Sequence, residues 1–453
     1  MHKVLIANRG EIACRIIRSC QALGLRTVAV HSEADAQAMH VAMADEAEAI
    51  GPSAPRESYL VPERILAAAA AHGADAVHPG YGFLSENAEF ARAVQAAGLA
   101  WVGPAPDTID AMGDKERARE IARAAGVPVL PGSRRFAAGG TPNLVEAAAA
   151  VGYPLLVKAA SGGGGIGMRR VDGPETLNDV ASATQAMAER SFGDGTVYLE
   201  RYIPLARHVE IQVFGFGNGE AVHLFERDCS LQRRFQKIIE ESPAPGLPDA
   251  VRARMADAAV QLCREQRYAG AGTIEFIVDA DSFEFFFLEM NTRIQVEHPV
   301  TEMTTGRDLV ALQLELARGS LAPFAQSAVQ ASGHAIECRL YAENPARNFF
   351  PSPGTLNVFR LPPPGRDVRT DTGFRQGDTI TPFYDPMIAK VICRGDTRAQ
   401  AIERMAGALD GIAVEGLKSN LAFLRQAMRH PAFAAGAVST DFVERHKAEL
   451  IRE

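Results

Sequence analysis

The sequence lacks paired cysteines, a basic run and a long apolar stretch. Its six cysteines are scattered without a Cys-x-x-Cys pair, so neither a zinc site nor a disulfide framework is indicated. Lys and Arg number 47 against 55 Asp and Glu, a formal net charge of -8, which argues against a nucleic-acid partner. No segment is apolar enough to span a bilayer, which argues against a membrane protein.

The start of the chain and its length bear on location and size. An apolar strand follows Met1-His2-Lys3 at once, which leaves no room for a signal peptide, so we expect a cytoplasmic protein. A mitochondrial chain whose transit peptide has been removed is the alternative. A chain of 453 residues exceeds what one hydrophobic core supports, and two or three packed units are expected.

The first third of the chain alternates short apolar runs with alanine-rich helical runs. This rhythm predicts a parallel sheet with crossover helices. Gly10 is the one glycine where the first strand meets the first helix, so the three-glycine fingerprint of a dinucleotide site is missing and NAD binding is not favoured.

A glycine-rich loop joins two predicted strands near residue 160. The first strand ends at Lys158, and residues 159–167 read AASGGGGIG. Consecutive glycines can turn backbone N–H groups toward an anion, which is how phosphates are cradled. A P-loop is excluded because the lysine precedes the glycines. A flexible linker is the alternative, but Lys158 is placed to reach a phosphate.

Residues 273–298 predict two apolar strands that carry acids where apolar side chains are expected. Side chains two apart in a strand share a face. Close carboxylates resist joint ionisation unless a cation joins them, and hard oxygen ligands suit Mg²⁺. The segment therefore predicts a magnesium–nucleotide site, and a solvent-facing edge hairpin is the alternative. The side chains concerned are Glu275 in the first strand and Glu289, Asn291, Arg293 and Gln295 in the second.

These features together resemble the ATP-grasp enzymes and, within them, the biotin carboxylases, nearly from end to end. Each segment alone is modest support, and their order and spacing make the resemblance specific. The segments are the glycine loop and residues 6–13, 78–87, 112–115, 207–212, 226–237, 289–298 and 337–339.

The resemblance implies a fold of mixed α/β and α+β class. It consists of an N-terminal Rossmann-like (preATP-grasp) domain, a mobile glycine-rich lid domain, an ATP-grasp catalytic domain and a C-terminal mixed domain. The implied boundaries are 1–113 for the N-terminal domain, 114–129 for a linker helix, 130–202 for the lid, 203–330 for the catalytic domain, 331–446 for the C-terminal domain and 447–453 for a tail.

The resemblance also implies the reaction, in which bicarbonate attacks the γ-phosphate of MgATP and gives carboxyphosphate, whose CO₂ is captured by N1′ of biotin. The cofactors are ATP and Mg²⁺ or Mn²⁺, with biotin as a carrier-bound substrate. Metal ligands would be Glu275, Glu289 and Asn291. The implied ATP-binding residues are Lys115, Lys158, Gly163, Gly164, Gly165, Glu200, Arg201, Tyr202, Ile203, His208, Gln232, Glu275 and Glu289.

Bicarbonate would be bound by Lys237, Arg293, Gln295 and the backbone at Val296, since a guanidinium matches a planar anion. Glu297 would be the general base, a role that calls for a pKa raised toward neutrality. Arg339 would bind biotin and stabilise its enolate. Lys237, Arg293, Glu297 and Arg339 are thus the catalytic candidates. A structural salt bridge is the alternative for Arg293 and Arg339.

Two positions depart from the family pattern. Ile166 stands in the glycine loop where many relatives carry Lys or Arg, and Phe235 stands where His is frequent next to the ribose. An apolar side chain cannot pair with phosphate, so we expect an active enzyme with altered nucleotide affinity.

The sequence also bears on partners. No Ala-Met-Lys-Met biotinylation motif occurs, so we expect a separate biotin carboxyl carrier protein and a separate carboxyltransferase, as in an acyl-CoA carboxylase of the acetyl-CoA carboxylase kind. A homodimer is expected. The final acceptor stays open, as does the choice between a free subunit and an excised domain. Alternative functions are another ATP-grasp carboxylate–amine ligase and a catalytically silent nucleotide-binding subunit.

Overall fold

Five parallel strands near the N-terminus form the first sheet, as the alternating pattern predicts. The computed structural model of the chain describes residues 1–160 and 167–451. The strand order is β3-β2-β1-β4-β5, and Val4, Leu5 and Ile6 of β1 are fully buried, as expected where helices cover both sheet faces. The elements are β1 (Lys3–Ile6), α1 (Gly10–Ala22), β2 (Arg26–His31), α2 (Met39–Met43), β3 (Glu46–Ala49), α3 (Pro62–Ala71), β4 (Ala76–His78), α4 (Ala88–Ala96), β5 (Ala100–Trp101), α5 (Pro106–Gly113) and α6 (Lys115–Ala124).

A small antiparallel sheet of three strands follows, in the order β7-β6-β8. Two helices bury its apolar face, in a core that includes Leu155, Val157 and Leu199. Gly163, Gly164, Gly165 and Ile166 of the glycine loop lie outside the described residues. The elements are α7 (Leu144–Val151), β6 (Leu155–Ala159), β7 (Met168–Val171), α8 (Leu177–Phe192) and β8 (Val197–Arg201).

The largest sheet has eight strands in the order β13-β12-β9-β10-β11-β14-β21-β19. It runs without interruption across residue 330, because β11 pairs with β14. The division of the chain at residues 113, 129, 202, 330 and 446 stays a prediction. The elements up to this junction are β9 (Ala206–Phe216), β10 (Ala221–Arg233), β11 (Gln236–Ser242), α9 (Asp249–Glu265), β12 (Ala269–Asp279), β13 (Phe285–Asn291), α10 (His298–Thr305), α11 (Leu309–Ala317) and β14 (His334–Tyr341).

The last part of the chain packs helices against the far end of this sheet. Its core includes Ile336, Val391, Met405 and Phe423. The remaining elements are β15 (Glu343–Asn344), β16 (Phe350–Pro351), β17 (Gly354–Thr355), β18 (Val358–Arg360), β19 (Val368–Thr372), β20 (Thr379–Ile380), β21 (Met387–Gly395), α12 (Arg398–Asp410), β22 (Ala413–Glu415), α13 (Leu421–Arg429), α14 (Pro431–Ala434), α15 (Phe442–Arg445) and α16 (Lys447–Leu450).

Two whole-chain expectations concern membranes and cysteines. Within the ranges that the structure describes, no helix combines the length and the apolar character needed to cross a bilayer. All six cysteines are free and buried, in agreement with the prediction that they form no disulfide framework.

Candidate active site

A cavity of about 440 Å³ lies against one face of the eight-stranded sheet and collects most of the predicted site residues. The register explains the gathering, because Glu275 of β12 pairs with Glu210 of β9 and Lys237 of β11 pairs with Gln232 of β10. Polar side chains of neighbouring strands therefore project from the same face of the sheet into this cavity. The predicted residues that line it are His208, Gln232, Lys237, Glu275, Glu289, Asn291, Arg293, Gln295, Val296, Glu297 and Arg339.

Lys237 is the central cation of this cavity. Its Nζ lies 2.7 Å from Glu210, 2.8 Å from Glu275 and 2.6 Å from Glu297. Burial opposes the charge, but these three carboxylates outweigh it and raise the pKa of Lys237 well above its ordinary value. The lysine is therefore a fixed positive charge.

The pKa of Glu297 is lowered in the free site, whereas the role of general base calls for a pKa raised toward neutrality. Burial alone would raise it, but Lys237 and Arg339 outweigh burial and lower the pKa of Glu297. The Arg339 guanidinium donates to Glu297 at 3.0 Å. The pKa of Glu240 is raised instead. Burial brings it to about 7 although the Arg339 guanidinium, which opposes this rise, lies only 2.6 Å away. The free site thus keeps Glu297 ionised, and the two neighbouring cations make it a weaker base than an ordinary glutamate.

Glu275, Glu289 and Asn291 have the chemistry of a magnesium or manganese site. Glu275 and Glu289 are cross-strand neighbours, and Asn291 Nδ2 donates to Glu275 Oε1 at 2.9 Å. Burial and then the charge of Glu275 raise the pKa of Glu289. The Glu289 side chain makes no ion pair or hydrogen bond with another residue of 1–160 and 167–451. An acid without a cation partner, beside a second carboxylate and an amide oxygen, fits a divalent ion.

His208 and Gln232 sit beside this acid pair. His208 Nε2 lies 2.8 Å from Glu275 Oε2. Gln232 Nε2 lies 2.8 Å from His208 Nδ1 and donates to the Cys229 carbonyl at 2.8 Å. Burial works against a charged imidazole, but Glu275 outweighs it and raises the pKa of His208. Glu275 therefore has Lys237 beside one oxygen and His208 beside the other, and a metal ion would share it with them.

The prediction that Arg293 and Gln295 continue the second strand is wrong. β13 ends at Asn291, because the next amide, that of Thr292, donates to Glu86 Oε1 at 3.1 Å rather than to β12. The side chains still meet. Arg293 Nη2 donates to Asn291 Oδ1 at 2.9 Å, and Gln295 Nε2 donates to Glu275 Oε1 at 2.8 Å.

A second cavity of about 470 Å³ meets the first at five shared residues, which are Arg293, Val296, Arg339, Tyr341 and Asp385. The Val296 carbonyl accepts from Lys390 Nζ at 2.8 Å. The walls away from these groups are mainly aromatic and apolar. Two guanidinium groups therefore stand between a charged chamber and one that suits a ring with an aliphatic chain. The aromatic and apolar lining comprises Ile12, Tyr81, Phe83, Phe374, Phe383, Tyr384 and Met387.

The remaining predicted nucleotide residues lie near the three-stranded sheet. Lys158 Nζ lies 2.5 Å from Glu200 Oε1. Arg201 is exposed at the end of β8, Tyr202 follows with the Arg170 guanidinium 4.6 Å from its ring centre, and Ile203 is buried. Lys115 begins α6, and its charge acts on Glu289.

Phe235 forms the tip of the turn between β10 and β11. Its ring is 68% exposed and lines the charged cavity. Its φ of 66° and the φ of 50° at Arg234 are left-handed, the conformation of a tight turn between antiparallel strands. An apolar ring therefore stands at the cavity mouth.

Sequence reasoning missed four charged residues of this site. Glu210 pairs with Lys237 and also with the fully buried Arg227 at 2.6 Å. Glu240 pairs with Arg339, and Glu86 with Arg293 at 2.9 Å. For Glu210 the sequence did contain a signal, because it lies two residues from His208 in a strand and the two side chains therefore share a face. The others depend on pairings between distant segments.

Models of known protein families match most of the chain. Three family models match consecutive parts of the chain: "Biotin carboxylase, N-terminal domain" over residues 1–109, "Carbamoyl-phosphate synthase L chain, ATP binding domain" over 114–323 and "Biotin carboxylase C-terminal domain" over 337–445. Fold and site thus define an ATP-grasp protein of the ATP-dependent ligase class, as predicted.

Similar proteins narrow this class. Biotin carboxylase 2 of Bacillus subtilis is 51% identical over 444 residues, which cover 98% of this chain and 99% of that protein. The chain belongs to the biotin carboxylase family. The mitochondrial methylcrotonoyl-CoA carboxylase subunit alpha of Dictyostelium discoideum is 49% identical over 449 residues, 99% of this chain but 64% of that protein. The chain therefore spans somewhat less than two thirds of that longer relative.

One solved structure is similar to this chain over nearly the whole length of both proteins. The biotin carboxylase domain dimer of Hydrogenobacter thermophilus 2-oxoglutarate carboxylase, in complex with MgADP, ADP and bicarbonate, superposes with a TM-score of 0.91 at 42% identity. The match covers 100% of this chain and 99% of that one.

Proposed function

We propose that this chain carboxylates biotin with bicarbonate at the expense of MgATP, through carboxyphosphate. The observation that carries the proposal is the position of Glu297 in the charged cavity, held 2.6 Å from Lys237 and 3.0 Å from Arg339, of which Arg339 also lines the aromatic cavity. A base for bicarbonate thus stands between the space for phosphates and the space for biotin. The resemblance likewise assigns Lys237 and Arg293 to bicarbonate and Arg339 to biotin.

In this proposal the described residues bind, orient and move one proton. Lys237 and Arg293 hold bicarbonate, and Glu297 accepts its proton as the bicarbonate oxygen attacks the γ-phosphorus. The bond from that phosphorus to the bridging oxygen breaks, so that ADP leaves and carboxyphosphate is formed. Glu275, Glu289 and Asn291 would hold Mg²⁺ or Mn²⁺, which neutralises charge on the phosphates.

The nucleotide and biotin roles complete the proposal. Lys115, Lys158, Gly163–Gly165, the backbone of the stretch from Glu200 to Ile203, His208 and Gln232 would bind ATP. Gln295 and the backbone at Val296 would contact bicarbonate. Arg339 would bind biotin and offset the charge on its ureido oxygen.

The ionisation of Glu297 fits this role. Lys237 and Arg339 lower its pKa in the free site, so the carboxylate is unprotonated before bicarbonate arrives. When bicarbonate draws Lys237 toward itself, Glu297 loses part of that stabilisation, and its basicity rises at the moment of proton transfer.

The decisive experiment measures ADP release with bicarbonate in the presence and absence of free biotin. We expect release that depends on bicarbonate and is stimulated by biotin. Release without such stimulation would favour another carboxylate–amine ligase, and absence of any ATP turnover would favour a silent nucleotide-binding subunit. Glu297→Gln is the matched variant, because it keeps the shape of the side chain and removes the base.

We also propose the biological setting. The biotin would be carried by a separate protein and passed to a separate carboxyltransferase, in support of which the match covers nearly all of the Bacillus subtilis relative. The acyl-CoA acceptor class follows the methylcrotonoyl-CoA carboxylase relatives. A homodimer is proposed from the dimeric Hydrogenobacter thermophilus domain, and the cytoplasm is the proposed compartment. Co-purification from the native source tests these assignments.

A further inference from the structure

Two cations from different parts of the chain hold the Glu200 carboxylate. Arg119 of α6 donates from Nη2 to Glu200 Oε2, and Lys158 of β6 donates from Nζ to Glu200 Oε1 at 2.5 Å. The Glu200 side chain is 4% exposed, so water screens neither ion pair well. One buried negative charge is thus shared by two positive charges.

The same two cations also share an aromatic ring. Tyr198 lies two residues before Glu200 on β8, on the same face. The Arg119 Cζ and the Lys158 Nζ lie 5.5 Å and 5.6 Å from its ring centre, within cation–π range. Arg119 and Lys158 therefore compete for both of their partners.

Arg119 is anchored to the part of the molecule that carries the candidate metal ligands. Its helix neighbours Ala118 and Ala122 pack in the same core as Phe287 and Met290 of β13, the strand of Glu289. Glu200 and Lys158 belong to the three-stranded sheet instead. The Arg119–Glu200 pair thus joins the two bodies that flank the proposed nucleotide site.

We infer that Arg119 is a positioning residue, which weakens the hold of Glu200 on Lys158 and so leaves the lysine ammonium available to the nucleotide. The physical basis is charge sharing. A second cation at a buried carboxylate reduces the field that the first one feels, whereas removal of one partner of a buried pair leaves the full charge on the other. Without Arg119, Glu200 would bind Lys158 alone. This inference rests on the proposed role of Lys158 in ATP binding.

The test is steady-state kinetics of Arg119→Met, with ATP varied at saturating bicarbonate and biotin. We expect the KM for ATP to rise roughly tenfold, the effect of about one hydrogen bond to a charged group, while kcat changes less than about twofold. Arg119→Lys, which keeps the charge, should restore most of the loss. Arg123→Met is the matched control, since Arg123 lies one turn further along α6 and is exposed.

A double variant separates positioning from structure. In Arg119→Met with Glu200→Gln, the neutral amide holds Lys158 less tightly, so the KM for ATP should fall below that of Arg119→Met alone. The inference is overturned if Arg119→Met has the wild-type KM for ATP. It is also overturned if the double variant has a higher KM for ATP than both Arg119→Met and Glu200→Gln. ADP affinity by calorimetry provides a readout that does not need turnover, so this inference stays testable even if biotin fails to stimulate the wild-type protein. Arg119→Gln replaces the Met variant if that one does not fold.

Discussion

Arg293 and Glu86 are joined by a hydrogen bond of 2.9 Å from Nε to Oε2, which connects the loop before α4 to the end of β13. Arg293 also donates to the Ile294 carbonyl and to Asn291 Oδ1, so the guanidinium plane is fixed before any anion binds. Such preorganisation reduces the entropy lost on binding.

Glu86→Gln should weaken bicarbonate binding by disordering this guanidinium. The Glu86 side chain is 41% exposed, so solvent screening limits the effect to about 1 kcal/mol, or roughly a fivefold rise in the KM for bicarbonate. The KM for ATP should stay within about twofold. Glu89→Gln is the control, because Glu89 is 86% exposed and pairs with Arg92 instead. Equal bicarbonate KM values in the two variants would remove Glu86 from the site.

Glu240 should make stability depend on pH. Its folded pKa of about 7 lies above the ordinary value of 4.5, so the folded protein binds this proton more tightly than the unfolded chain. Its contribution to the free energy of unfolding therefore falls as pH rises from about 4.5 to 7 and is constant above. The size is about 3 kcal/mol.

Glu240→Gln cannot titrate, so it measures this contribution. The free energy of unfolding of the variant minus that of the wild type should increase by roughly 2.5 kcal/mol between pH 5 and pH 8. Denaturant unfolding at each pH gives the difference. Any constant offset from the lost Arg339 pair cancels in the comparison, and a difference that does not vary with pH would contradict the assignment.

Glu289→Gln should separate metal binding from folding. The carboxylate has Glu275 as its cross-strand neighbour, so its removal relieves repulsion and should leave the melting temperature equal or higher. The Mg²⁺ concentration for half-maximal ATP turnover should rise at least tenfold, because one hard oxygen ligand is weakened. Glu284→Gln is the control, one residue before β13 and exposed. An unchanged Mg²⁺ requirement would mean that the metal ligands lie elsewhere.

Phe235→His should tighten nucleotide binding. The ring stands exposed at the mouth of the charged cavity, where it offers no hydrogen bond, and an imidazole N–H there should lower the KM for ATP about threefold. Phe350→His is the control, since Phe350 is 61% exposed and is not among the residues that line this cavity. If both variants bind ATP alike, the departure at residue 235 has no consequence.

Much of the fold and the gathering of the site residues could be predicted from sequence, for identifiable reasons. The short apolar runs at Val28 and Val77 are separated by helical runs, and this pattern predicts a buried parallel sheet directly. Glu275 and Glu289 are conspicuous as acids within apolar strands. The end of β13 could not be predicted, because it depends on Glu86, about 200 residues away in the chain. The lowered pKa of Glu297 could not either, since it is set by Lys237 and Arg339 from two other strands.

The pairing of β11 with β14 limits how this protein can be engineered. A chain cut after residue 330 would keep Glu275 and Glu289 but leave β11 as an unpaired edge strand, open to pairing with other molecules. It would also lose Arg339 and the Lys390 contact to Val296. Residues 1–330 therefore cannot be transferred to another protein as a unit, and a chimera that exchanges them must also include β14 and β21.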